Sequence, residues 1–100
     1  MPESAMKIAI GRDGPAVKLS ILGKINGASL GELRREIERA RRNHEEVAID
    51  LSEVTLVDRH SLAFLVEQSR GDVRLINCPV YLERWVERER SSRAGKERGL

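Results

Sequence analysis

The chain has 100 residues, of which 40% are hydrophobic, 34% charged and only 3% aromatic. That suits one domain with a modest, aliphatic core and excludes a second. The formal net charge is +2, but residues 88–98 hold five basic and two acidic residues (+3), leaving residues 1–87 with 13 basic and 14 acidic (−1); a near-neutral body without a basic, aromatic-studded face argues against a nucleic-acid partner.

The single cysteine, Cys78, has no internal disulfide partner, and no His/Cys cluster shows metal-ligand spacing, so neither a metal nor another cofactor is expected. A reducing, cytoplasmic location is the plain expectation. MPESAMKIAI lacks a long apolar stretch of the signal-peptide kind, and no apolar run approaches the length of a membrane span.

Along the chain, MKIAI reads as a short first strand and GRDGP as a turn. In AVKLSILGKI, Val17, Leu19 and Ile21 alternate with Lys18 and Ser20, the period of a half-buried strand, so the two segments form a hairpin. Ser29 and Glu32 form a capping-box pair, predicting a helix from about Leu30 with Leu30, Leu33, Ile37 and Ala40 as its apolar stripe. The charged RREIERARR stretch is its solvated face. EVAIDL reads as a central strand, and SEVTLVD as the link to a second helix over Ser61–Ser69 with Leu62, Leu65 and Val66 facing inward. RGD is a turn and VRLIN a strand. Pro79 opens a third helix whose stripe is Tyr81, Leu82, Trp85 and Val86, with Trp85 as a core anchor. From Ser91 the apolar periodicity ends, giving a domain over 1–90 and a disordered basic tail over 91–100. The order is β-β-α-β-α-β-α: an α/β fold with a mixed sheet of about four strands and helices mainly on one face.

The stretch VDRHSL, residues 57–62, places Asp58, His60 and Ser61 within four residues. A Ser–His–Asp triad needs side chains that converge in space, which neighbours on a strand-to-helix turn do not do, and no oxyanion loop or nucleophile elbow accompanies them. No catalytic residue is therefore assigned, and the chain is not expected to be an enzyme. The start of a helix favours negative charge, so added phosphate there would change what docks. Asp58 or Ser61 serving only as a helix cap is the plainer alternative.

IDLSEVTLVDRHSLAFL resembles the signature of STAS domains, the fold of bacterial anti-sigma factor antagonists: Asp50-Leu51-Ser52 matches its first part, and Val57, Asp58 and Leu62 its second. GKINGASLGELRREI resembles the family's earlier turn and first helix, with Asn26 where aspartate is usual. Regulated members carry an acceptor serine or threonine after Asp-Ser. Here His60 holds that position, Arg59 replaces the preceding serine and Ser61 replaces the glycine. The resemblance implies a non-catalytic signalling module that docks an anti-sigma factor or kinase-like protein without a serine phosphoswitch, through Asn26, Asp58, Arg59, His60 and Ser61. Ser61 as a shifted acceptor, or phosphorylation of His60, would be the remaining routes to control. The alternative partner is the ATPase of a lipid transporter, to which some small STAS proteins bind as accessory subunits. Nucleotide or lipid sensing ranks lower because no glycine-rich phosphate loop is present. Homodimerisation stays open.

Overall fold

Alternation in AVKLSILGKI builds the second strand, and that strand organises the sheet. The computed structural model describes the backbone of residues 6–98 and the side chains of residues 6–91. Its elements are β1 (Met6–Asp13), β2 (Ala16–Ile25), α1 (Gly27–Arg42), β3 (Glu46–Val57), α2 (Arg59–Ser69), β4 (Val73–Ile76) and α3 (Val80–Arg98). The sheet order is β1-β2-β3-β4, with β1 antiparallel to β2 and the remaining pairs parallel. The order β-β-α-β-α-β-α and the mixed four-stranded sheet are those expected from the sequence.

One face of the sheet is aliphatic. Leu19, Ile21, Val47, Ile49 and Val73 are buried there against Leu33 and Ile37 of α1, Leu65 and Val66 of α2, and Leu82 of α3. Burying a Leu or Ile side chain contributes about 1.5–3 kcal/mol, so this layer carries most of the favourable free energy of folding. The other face carries Lys18, Ser20, Asp50 and Arg74, placed together by the strand registers. No aromatic side chain lies in the buried core, as the composition requires.

The first strand runs three residues further than expected, through Asp13, and β4 stops one residue short, at Ile76; four other differences each have a local reason. The helix over 27–42 starts three residues earlier than expected because Asn26, not Ser29, is its N-cap: Asn26 Oδ1 accepts from Ser29 N at 3.1 Å and Ser29 Oγ accepts from Asn26 N at 3.2 Å. The segment SEVTLVD is no link but the second half of β3. Register shifts opposite Ser20–Leu22 and Gly23–Lys24 insert extra residues into β3, which breaks the period-2 pattern. Gly23 takes φ 97°, open to glycine and strained for other residues. α2 starts at Arg59 rather than Ser61, with Asp58 as its N-cap.

The fourth difference concerns α3. Leu82 and Val86 are buried, but Trp85 is 55% exposed and Tyr81 46%. Trp85 is therefore not a core anchor. α3 also continues through Arg98, so the boundary placed at residue 91 does not coincide with the end of an element. Side chains beyond Ser91, and the whole of residues 99–100, lie outside the described residues. Among the described residues, no helix is long and apolar enough to cross a membrane.

Candidate docking site

β2 and β3 run parallel, and each ends in a helix start, so two helix N-termini open side by side at one end of the sheet. Ile25 pairs with Val57, and Asp58 N donates to Ile25 O at 3.1 Å. This brings Asn26 next to the Asp58–Ser61 turn, although they are far apart in sequence. The carboxyl end of parallel strands is the usual place for a functional crevice in such sheets.

Asp58 spans both helix starts. Its Oδ1 accepts from Ser61 N at 2.8 Å, capping α2, and its Oδ2 accepts from Gly27 N at 3.2 Å, satisfying the first amide of α1. The backbone amide of Ser61, foremost, holds the Asp58 carboxyl below the usual carboxylate range; the amide of Gly27 and the charge of His60 add to this. Asp58 thus ties two elements together through its carboxylate.

The neighbouring side chains divide sharply. Arg59 and His60 project into solvent. Ser61 is 0% exposed, and its hydroxyl meets no partner in good hydrogen-bonding geometry. It lies near enough to Asp58 to help hold that charge, but the backbone amide is the contact with sound geometry. The folded chain therefore presents no Ser61 hydroxyl at its surface. His60, at the acceptor-equivalent position, is accessible.

Asp50, in the matched Asp-Leu-Ser segment, is nearly buried on the open face of the sheet. It accepts from Ser52 N at 2.9 Å and Asn77 Nδ2 at 3.0 Å, with Lys18 Nζ 3.9 Å away. Burial pushes its carboxyl up, but the Ser52 and Asn77 hydrogen bonds and the Lys18 charge together outweigh that and lower it. The side chain satisfies the amide freed by the irregularity in β3 and clamps the turn after β4, where Asn77 takes a left-handed φ of 54°. This role is structural.

A feature absent from the sequence reading adjoins the turn. Between the end of β3, the start of α2 and the exposed side of α3 lies an apolar groove of about 610 Å³, lined chiefly by Leu56, Arg59, Leu62, Tyr81, Trp85 and Arg88. Leu56 and Trp85 are each more than half exposed. Tyr81 Oη donates to Val54 O at 2.6 Å, pinning α3 to β3 and setting the groove's width. Arg88 stands over the Trp85 ring, 5.7 Å from its centroid. The signal in the sequence was the breadth of the apolar arc on α3, too wide to be buried from one side. Burial, then the nearby Glu83, pushes the Cys78 thiol up, away from the thiolate form. Among the described residues no group of three or more His, Cys, Asp or Glu side chains could hold a metal.

A mixed sheet of this order, with paired helix starts at the ends of β2 and β3, defines a STAS domain. The family model described as "Mlab, STAS domain" matches residues 8–87, and the chain belongs to that family. The crystal structure of an uncharacterized protein from the DUF3478 family, with a SpoIIAA-like fold, from Shewanella loihica PV-4, superposes with a TM-score of 0.55. The two are 17% identical, over 88% of this chain and 80% of the other, which is a likeness of fold. No curated protein matches the chain.

Proposed function

We propose that this chain is a non-catalytic, cytoplasmic docking module that holds a protein partner constitutively, through Asn26, Arg59, His60 and the adjoining α2–α3 groove. The observation that carries this is the exposed Trp85 and Leu56 beside the start of α2. Contiguous exposed apolar surface rimmed by arginines is the composition of an interface core. Asp58 supports the surface by fixing both helix starts, and Ser61 takes no direct part.

Of the two partner classes that STAS domains suggest, an ATPase to which the chain is a permanent accessory subunit fits better. A kinase-type anti-sigma factor ends its contact by phosphorylating an acceptor; here that position is His60, and the neighbouring hydroxyl is buried. The antagonist reading keeps one point in its favour, the register of VDRHSL with the antagonist signature.

The test is capture of partners from native lysate with the wild-type chain and with Trp85→Ala and His60→Glu, identifying prey and modification state by mass spectrometry. Wild type should retain an ATP-hydrolysing protein while itself unmodified, and both variants should lose it. Recovery of an anti-sigma kinase with phosphorylated bait would replace the constitutive reading with the switched one. Retention of the same prey by both variants would remove this surface from the binding role.

A further inference from the structure

A second surface lies at the free edge of the sheet. Among the described residues β1 pairs only with β2, so from Lys7 to Asp13 its other side presents amides and carbonyls with no strand beside them. Folded proteins usually blunt such edges with a proline, a bulge or a very short strand. The opposite edge, β4, is only four residues long. β1 is eight residues, has no proline, and shows no register break against β2. Ile10 pairs with the fully buried Leu19 and so projects on the helix side, yet it is 58% exposed. It borders a shallow hollow of about 170 Å³ shared with Val17, Arg39 and Ala40.

We infer that the outer edge of β1 receives a second copy of this chain, joined antiparallel about a two-fold axis through Ile10 to form one continuous sheet. Antiparallel neighbours in a sheet are related by an axis perpendicular to it, which keeps each face on its own side. Residues facing one another across the axis must then share the same parity. That leaves axes through Ala9, Ile10 or Gly11 near the middle of the strand. An axis through Ile10 places Lys7 opposite the partner's Asp13, twice by symmetry, on the open face. On the helix face it places Ile10 against the partner's Ile10 and Ile8 beside the aliphatic stem of the partner's Arg12. An axis through Ala9 sets Ile8 opposite the partner's Ile10 twice, but it puts Lys7 opposite glycine and leaves Asp13 without a cation. One through Gly11 sets Ile10 opposite arginine. Only the Ile10 axis pairs Lys7 with Asp13 and also sets Ile10 against an apolar side chain. A lone Lys7 would deter edge pairing; the symmetric Asp13, which has Arg74 4.0 Å away, turns it into an attraction. Pairing of one strand a side predicts a weak, concentration-dependent dimer.

Sedimentation velocity of the full chain across a concentration series tests this. Wild type should shift from monomer to dimer as concentration rises. Lys7→Asp and Asp13→Lys should each weaken the dimer by roughly tenfold or more, because two opposite-charge pairs become two like-charge pairs. The double variant Lys7→Asp/Asp13→Lys should recover it. Ile10→Lys, which sets two lysines against each other at the axis, should abolish it, with melting unchanged in every variant. A wild-type chain that stays monomeric throughout would overturn the inference. So would a dimer indifferent to Lys7→Asp, a double variant that melts like wild type without recovering the dimer, or a dimer removed by Trp85→Ala.

Discussion

Asp58 carries two duties at once. Its two carboxylate oxygens satisfy amides from two different helix starts, and those helices enter from strands that are neighbours only in the folded sheet. Loss of one such cap costs about 0.5–2 kcal/mol. Asp58→Ala, which orphans both amides, should destabilise the chain by about 1–2 kcal/mol in denaturant unfolding. A change under about 0.5 kcal/mol would show that water replaces the side chain without loss. Ser61 presents the reverse case. Its hydroxyl is buried without a sound partner, so Ser61→Ala should raise stability by about 1 kcal/mol. A fall in Tm would show instead that the hydroxyl bonds Asp58. The sequence showed Asp58 and Ser61 as candidates for partner contact, capping or phosphate. It could not choose among these, because the choice rests on a tertiary contact to Gly27 and on the burial of one hydroxyl.

At the scale of elements, α3 is the informative failure of sequence reading. At 100° per residue, Tyr81, Trp85, Leu82 and Val86 sweep an arc of about 140°. One neighbour covers only part of that, and the Leu82–Val86 half faces the core while Tyr81 and Trp85 are left outside. Composition and periodicity do not say which half wins. The consequence is a separable pair of effects. Leu82→Ala should cost about 2–5 kcal/mol, as buried leucines do. Trp85→Ala should change stability by less than about 0.5 kcal/mol while removing partner binding. The two can be compared by thermal melting and by affinity for the captured partner. The length of β3 was hidden for a different reason: its bulges interrupt the alternation on which strand recognition depends, so its second half looks like a loop. α1, by contrast, was legible, since its stripe of Leu30, Leu33, Ile37 and Ala40 is narrow and buried as expected.

For the whole molecule, acid is the telling condition. Asp50, Asp58 and Asp72 all have carboxyls held below the usual range. Asp50 owes this to hydrogen bonds that outweigh its burial, Asp58 to the amide of Ser61, and Asp72 to the Arg41 guanidinium 3.0 Å away. A carboxyl lower in the folded than in the unfolded state, where it lies near 3.9, makes the unfolded chain bind more protons in that interval. The stabilisation is therefore complete above about pH 5 and disappears as pH falls through the folded-state values. Tm should be insensitive to these groups from about pH 5 to 7 and drop below about pH 4, with a smaller drop in Asp58→Asn. The clamp from Arg41 to Asp72 also joins the end of α1 to the turn before β4, so the aspartate of the RGD tripeptide is engaged within the chain.

The claim on which the rest depends is that the surface beside the start of α2, and not the open face of the sheet, holds the partner. The direct measurement is the affinity of the purified partner for the wild-type chain, for Trp85→Ala, and for Arg74→Ala on the open face as a control. Trp85→Ala should lower affinity by about tenfold or more, as loss of an aromatic anchor does, with Arg74→Ala unchanged. Equal affinity for wild type and Trp85→Ala, or a loss confined to Arg74→Ala, would contradict the assignment.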